Sequence, residues 1–345
     1  PVKVEGNPKH PDNLGTLCAR GQSALQGTYN PDRFRQPLVR RAASTNRPGV
    51  LEATNWNEAE QAVVERILEL QKTGQVDRVA VVTPLLSGTL DELTDTWAAA
   101  VGGARRFRYE AFAYEAIREA NRIVFDRPTV PQHDFDRADL LVSFGADFME
   151  TWLAPVKYTR LHTDARRVQN GIKSRFVHLE ARLSMTASSA DEWIPVQPGT
   201  EGLVAMAMVH TILAERRVQA QDLSDEALRQ IEVFIGETSA ETVSAQTGIP
   251  ATRIVDLARA FSDPNIGPGR TLAVGGGIAV SGENATEAQI AIALLNLVAG
   301  NIGSTVRLDA TSIWDHVNSY SDMLTLTQAM RNGEIEVAIF HNVNP

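Results

Sequence analysis

The sequence is poor in the features that usually announce chemistry. Of its 345 residues one is a cysteine, Cys18. An intrachain disulfide is therefore impossible, and so is a cysteine-rich metal site built by this chain alone. There is no excess of positive charge: 33 Lys and Arg face 42 Asp and Glu, a net charge of −9. That excludes nucleic acid as the main partner, because duplex binding rests on neutralising phosphates. No run of about 18 uncharged apolar residues occurs, so no segment reads as a spanning helix. The longest candidate, Ala288 to Ala299, reads as a buried helix. No signal peptide is visible. H-E-x-x-H and G-x-S-x-G are missing, which leaves a zinc protease and a hydrolase nucleophile unsupported. Fixed short repeats and low-complexity tracts are absent too.

What is present is an ordinary globular composition, 43% hydrophobic and 22% charged. Intrinsic disorder is ruled out by those fractions. At roughly 150 residues per domain the length suggests about two domains. The chain opens at Pro1-Val2-Lys3-Val4-Glu5 and ends at Phe340 to Pro345 just after an apolar strand. Both ends read as cuts inside a larger fold.

Residues 1–50 are punctuated by Pro8, Pro11, Gly15, Gly21, Pro31, Pro37 and Pro48, and read as coil with one helix from about Leu17 to Thr28. From Asn55 the pattern strengthens. Asn55 and Glu58 have capping-box spacing, and Ala59, Val63, Ile67 and Leu70 recur at helical spacing. Arg78–Thr83 reads as a strand and Thr89–Val101 as a helix. The alternation continues: helix Tyr114–Phe125, strand Leu140–Gly145, helix Glu150–Asp164, strand Phe176–Glu180, buried helix Thr200–Glu215. Residues 223–262 read as helical. Asn284 and Glu287 repeat the capping spacing ahead of Ile290–Val298, and a last helix, Ser321–Arg331, leads into strand Val337–Phe340. Continuous apolar strands between helices predict an α/β fold with mostly parallel sheets covered on both faces.

Several stretches invite a chemical reading. Gly275 to Gly282 follows an apolar strand, but fits neither the dinucleotide fingerprint nor the phosphate loop with its lysine. It reads as a close-packed strand-to-helix loop. Thr242–Phe261 echoes a helix-turn-helix, yet the acidic balance makes it two packed helices. His133 to Asp139 is acidic enough to suggest a cation site; without calcium-loop spacing it reads as a solvated turn. His178 and His210 sit in apolar elements and read as core histidines.

The strand ends are more informative, since open α/β sheets bind ligands outside the carboxyl ends of their strands. Gly145-Ala146-Asp147 ends one strand and Glu180-Ala181-Arg182 another. Pro198-Gly199-Thr200-Glu201 opens a helix. Carboxylates there can accept from a ribose or a guanine, and Arg182 can pair with a phosphate at a helix N-terminus. Equally, Thr200 can be an N-cap with Glu201 favourable in the first turn.

Together, these stretches resemble the molybdopterin oxidoreductase family. Glu5-Gly6-Asn7-Pro8, Leu17 to Gln22 and Tyr29 to Arg33 are similar to its N-terminal lobe. Ala187 to Glu201 is similar to its cofactor-domain signature, and Leu295-Asn296 with Gly300 to Gly303 to its later helix-turn signature. The resemblance implies a coil-rich N-terminal lobe (1–50) and two nested Rossmann-like domains. The outer one comprises 51–107 and 308–345; the inserted one comprises 108–307. It implies that Cys18 is the fourth ligand of an iron–sulfur cluster whose other three cysteines would precede Pro1, or else a relic. It also implies pterin contacts at Gly145, Glu180, Arg182, Gly199, Thr200 and Glu201, if a pterin is retained.

Two departures qualify that. Where the family places a Cys, selenocysteine, Ser or Asp ligand to molybdenum, this chain reads Tyr109 to Ala116, with Glu110 and Glu115 its only carboxylates. The family's Asp-Pro-Arg is Glu180-Ala181-Arg182 here. Tyr109 to Phe125 and Ser143 to Trp152 are similar to the fused molybdopterin-like and iron–sulfur subunit of alternative complex III. That resemblance implies a non-catalytic scaffold with no cofactor in this segment and iron–sulfur clusters elsewhere in the subunit. The expected partners are membrane-spanning quinol-oxidising subunits, cytochrome c subunits and the iron–sulfur domain. The expected location is the periplasmic face of a bacterial membrane, attached peripherally. The alternative is an active molybdenum bis-pterin enzyme for a sulfur oxyanion or similar substrate, with Glu110, Glu115 or His133 serving the metal or substrate.

Overall fold

The computed structural model describes residues 2–40, 49–112, 114–168, 173–221 and 223–344. The chain divides into two compact units. One comprises Pro1–Val4, Ala19–Ala113 and His316–Pro345; the other comprises Glu5–Cys18 and Tyr114–Asp315. The first 50 residues are thus shared between units. Among the described residues no helix is long and apolar enough to cross a membrane.

The first unit is built on a parallel sheet with strand order Val337–Phe340, Val79–Thr83, Arg105–Arg108. The central strand is buried throughout, as its Val-Ala-Val-Val run predicts. One face packs Val79 with Leu70, Val76, Ala98 and Ala104. The other packs Ala80 and Val82 with Leu326. Asn55 caps helix Trp56–Lys72 by accepting from the Glu58 N–H at 2.9 Å. Beside the sheet, Asp91 of helix Thr89–Ala100 accepts from Arg106 Nη2 at 3.0 Å and from Arg108 Nε at 2.9 Å. Burial opposes ionisation of Asp91, but the two guanidinium groups outweigh it and its pKa is lowered.

The second unit holds a four-stranded parallel sheet ordered Glu192–Ile194, Arg175–Leu179, Leu140–Phe144, Thr271–Gly275. Successive side chains point to opposite faces. Leu140, Val142 and Phe144 pack with Val204, Met208, Ile212, Leu257 and Leu295 on helices Glu201–Ala214, Ala251–Phe261 and Ala285–Val298. Leu141, Phe176, Leu272 and Val274 face the other way, onto Phe135, Phe148, Trp152 and Tyr158. Helix Glu201–Ala214 is buried on nearly every side, as its unbroken apolar pattern predicts. A Cβ on Gly202 would stand 2.6 Å from Ala288 Cβ, so the two long helices meet with almost no side chain between them. Mixed α/β architecture with parallel sheets is thus the fold class, as the alternation of elements predicts.

Four local expectations need correction. Residues 1–50 are not free of sheet, because Leu38–Arg40 pairs antiparallel with Leu51–Ala53. The helix expected from Glu150 begins only at Pro155: Leu153 is left-handed at φ 49, and Pro155 sits in the first turn, where its missing N–H is harmless. His133 to Asp139 is no solvated turn; His133, Asp134, Phe135 and Ala138 are buried. Asn284 stands at the N-cap but does not cap with its side chain; its amide donates to the Gly199 carbonyl at 2.8 Å.

Two stability outcomes are expected. Asp91→Asn breaks a half-buried carboxylate pair and costs about 1–3 kcal/mol at pH 7. A group with a lowered folded pKa stabilises above its unfolded pKa and loses that contribution as pH falls through the folded one. The wild-type advantage in thermal denaturation is therefore expected to shrink progressively as pH falls below the ordinary Asp value of about 3.9. The second concerns His162, buried against Phe148 and Phe176. Burial, aided by Arg166, pushes its pKa down to about 4. The unfolded chain then binds the extra proton below about pH 6.5, so stability falls from there down to the folded pKa. His162→Phe is expected to reduce the slope of unfolding free energy against pH by about 1.4 kcal/mol per unit between pH 6 and 5. An unchanged slope would place the acid sensitivity elsewhere.

Candidate functional site

In chain order the sheet of the second unit reads third, second, first, fourth. The order reverses between Leu140–Phe144 and Thr271–Gly275, and this switch point is where an open α/β sheet forms its ligand crevice. Gly145 ends the first of these strands with φ 70, a conformation that favours glycine. Its N–H donates to the Leu179 carbonyl at 2.9 Å. A Cβ there would stand 2.7 Å from Ala279 Cβ and 3.2 Å from Val280 Cγ2. The loop after Gly275 therefore folds back onto Gly145. From the other side the buried Trp152 donates its indole N–H to the Gly275 carbonyl at 3.0 Å. Ala279 and Val280 thus pack directly against Gly145 at the switch point.

The structure brings Glu180, Arg182 and Asp147 together. Arg182 donates from Nε to Glu180 Oε1 at 3.2 Å and from Nη2 to Asp147 Oδ2 at 3.1 Å. Thr186 donates its hydroxyl to Asp147 Oδ1 at 2.5 Å. His178 Nε2 lies 3.2 Å from Glu180 Oε2, with the imidazole fully buried. Burial opposes ionisation of Glu180, but bonds from His178, Ser184 and Arg182 outweigh it and its pKa is lowered. Asp147 goes the other way: burial and the neighbouring Glu150 and Glu180 charges raise it above the usual range. Arg182 remains mostly exposed while holding both carboxylates.

Gly199, Thr200 and Glu201 lie at the start of helix Glu201–Ala214. Around Gly199 the space is open: a Cβ there would meet nothing within 4 Å. Thr200 is the N-cap residue, yet its hydroxyl donates back to the Gln197 carbonyl at 2.7 Å and caps nothing. Glu201 is buried, and its Oε2 has no hydrogen-bond partner among the described residues. Burial raises its pKa; N–H groups of Glu201 and Gly199 oppose this, and the Glu180 charge adds to it.

Other candidates fall elsewhere. Cys18 is exposed at the end of segment Glu5–Cys18. Glu110 belongs to the first unit, where burial raises its pKa. Glu115 opens helix Glu115–Phe125 in the second. Among the described residues no three His, Cys, Asp or Glu side chains gather as a metal site. Sequence reasoning reaches Asp147 through its strand-end position. It misses Trp152, Thr186 and Ala279 as parts of the site, since an indole, a hydroxyl and a methyl distant in sequence carry no strand-end signal.

Residues 33–342 match the molybdopterin oxidoreductase family, and residues 1–30 match the molybdopterin oxidoreductase Fe4S4 domain. The chain is 28% identical over 265 residues to the molybdopterin-binding-like subunit of menaquinone reductase from Nitratidesulfovibrio vulgaris, covering 76% of this chain and 36% of that protein. It is 25% identical over 260 residues to the molybdopterin-containing subunit of thiosulfate reductase from Salmonella typhimurium, covering 75% and 33%. Dimethyl sulfoxide reductase DmsA of Escherichia coli is 25% identical over 331 residues, covering 83% and 38%. The chain thus spans about a third of the length of these relatives. Among solved structures, acetylene hydratase from Pelobacter acetylenicus superposes with a TM-score of 0.63 at 17% identity, covering 87% of this chain and 40% of the other, which shows a shared fold. The family implies molybdenum–pterin and iron–sulfur cofactors. With a match over most of its length and two parallel-sheet units, the chain belongs to the molybdopterin oxidoreductase family.

Proposed function

We propose that this chain is a non-catalytic, molybdopterin-oxidoreductase-like scaffold within the iron–sulfur subunit of a membrane-associated quinol:acceptor complex of the alternative complex III type. In this reading it holds no cofactor itself. It sits peripherally at the periplasmic face of a bacterial membrane, against membrane-spanning quinol-oxidising subunits, cytochrome c subunits and the iron–sulfur domain. The inserted domain expected at 108–307 falls mainly within the unit holding Tyr114–Asp315, and the outer domain expected at 51–107 and 308–345 mainly within the unit holding Ala19–Ala113 and His316–Pro345, while residues 1–50 are divided between the two.

The observation that carries the reading is the close-packed switch point. Ala279 and Val280 pack against Gly145, and Trp152 takes up the Gly275 carbonyl; in this reading that close packing stands where a pterin would otherwise lie. The donor chemistry agrees. Asp147, Glu150 and Glu180 lie about Arg182, whose Nε and Nη2 already serve Glu180 and Asp147, and Glu201 feels the Glu180 charge. A dinucleotide carrying phosphates would meet like charge there. Residues 109–116 offer no thiol or serine hydroxyl to a metal, and one cysteine does not make a four-thiolate cluster. These residues do not fit either group within this chain. The menaquinone reductase relative is itself named a molybdopterin-binding-like subunit.

The test is elemental analysis for Mo, W and Fe on the intact native complex, with pterin extraction and fluorescence. Iron without Mo, W or pterin is the expected result. Molybdenum with pterin at about one per chain would overturn the proposal and favour the bis-pterin enzyme, with Glu110, Glu180 and Glu201 as site candidates. A second outcome separates packing from chemistry. A carboxyl with a raised folded pKa destabilises the fold once pH exceeds its unfolded value. Glu201→Gln is therefore expected to raise Tm at pH 7 and to leave quinol oxidation by the complex unchanged. Lost turnover with unaltered Tm would make Glu201 a working site residue.

A further inference from the structure

The second unit has a pocket between helices Glu115–Phe125 and Ala285–Val298 and the strand end Val274-Gly275. Its wall is mostly apolar: Ile117, Ala120, Ile292, Ala293, Ile302 and Val306. Four polar side chains also line it. Two of them are committed inward. Asn121 Nδ2 donates to the Thr129 carbonyl at 2.9 Å, and Asn296 exchanges bonds with the Ala273 backbone at 2.8 and 3.0 Å. The other two, His133 and Gln289, are 6% and 5% exposed, and His133 Nδ1 and Gln289 Nε2 have no partner among the described residues. Gln289 Nε2 is directed at the glycine turn: it lies 3.3 Å from where a Cβ on Gly275 would stand and 3.5 Å from one on Gly276.

We propose that this pocket is a resident-water site, in which roughly one or two water molecules accept from Gln289 Nε2 and bridge to His133 Nδ1. Three arguments select water over other occupants. Two buried polar atoms left bare would each forfeit a hydrogen bond, at about 1–3 kcal/mol apiece. No ionised side chain lines the pocket, and burial holds the His133 pKa down to about 3, so the occupant is neutral. The space is small, and water is the neutral molecule of that size that both donates and accepts, serving either imidazole tautomer. The bridge would tie helix Ala285–Val298 to the short pairing of Gln132–His133 with Val306–Arg307.

The test uses crystals of this chain, with and without pressurised xenon. A dry apolar cavity takes up xenon and a wet polar one keeps its water. The expected result is solvent density about 2.7–3.2 Å from both Gln289 Nε2 and His133 Nδ1, with no xenon peak. Xenon in the pocket, or no solvent density there, would overturn the proposal. Gln289→Met supplies a readout of opposite sign. If water bridges the pair, the variant loses a satisfied bond and Tm falls by about 2–4 °C. If the pocket is dry, the variant removes a buried unpaired donor and Tm rises. A variant that fails to fold leaves the xenon and solvent measurements on the unaltered protein to decide.

Discussion

The hydrogen bond from the Trp152 indole to the Gly275 carbonyl ties the loop after strand Leu140–Phe144 to the end of strand Thr271–Gly275, the two strands between which the sheet reverses its order. Much of the second unit depends on it. A strand-end carbonyl at the switch point of an open sheet ordinarily faces a crevice and solvent or ligand. Here it accepts from a fully buried indole. Trp152 in turn packs on Tyr158, Phe135 and His133, with ring centroids 5.0, 6.4 and 5.3 Å away. Tyr114 fixes the neighbouring backbone, its hydroxyl accepting from the Leu153 N–H at 2.7 Å. The aromatic layer under the sheet and the closed end of the sheet are therefore one packed body. Buried aromatic area dominates such energetics, and the indole N–H requires a partner when buried.

That arrangement explains which parts were legible in the sequence. Strand Val79–Thr83 and strand Leu140–Phe144 were legible because every residue is buried, and a continuous apolar run bounded by turns has few other meanings. Helix Trp56–Lys72 was legible because Asn55 and Glu58 mark its start with local chemistry. The N-terminus of helix Ala285–Val298 misled for the same reason. Asn284 had the right spacing, but its amide found the Gly199 carbonyl, 85 residues away in sequence. Local signals decide an end only when no distant acceptor competes. His133 to Asp139 misled similarly: its charge suggested solvent, while Arg307 reaches Asp134 Oδ2 at 2.9 Å and lets the carboxylate stay inside.

The site was half legible. Strand ends were identifiable from the α/β alternation, which brought Gly145, Asp147, Glu180 and Arg182 into view. Their pairing was not, because it depends on how far each side chain reaches across neighbouring strands. Nor was the occupation of the crevice. Ala279 and Val280 lie in a glycine-rich loop whose sequence reads equally as a ligand cradle or as close packing. Only the 2.7 Å approach to the position of a Gly145 Cβ separates the two.

The electrostatics of this end of the sheet turn on one arginine. Arg182 is mostly exposed, a poor position for strong single ion pairs. Its partners are not exposed: Asp147 and Glu180 are buried, at 4% and 3%. Removing the arginine would leave two buried carboxylates answered mainly by Thr186 and His178. One cation thus makes tolerable an acidic cluster that would otherwise be forced to take up protons. A guanidinium bound in that way is not available to an incoming phosphate without stranding the charges it neutralises. Glu180, Arg182 and Asp147, which resemble part of a nucleotide cradle in sequence, are mutually paired in space, and that pairing holds the loop ends after Phe144 and Leu179 in place.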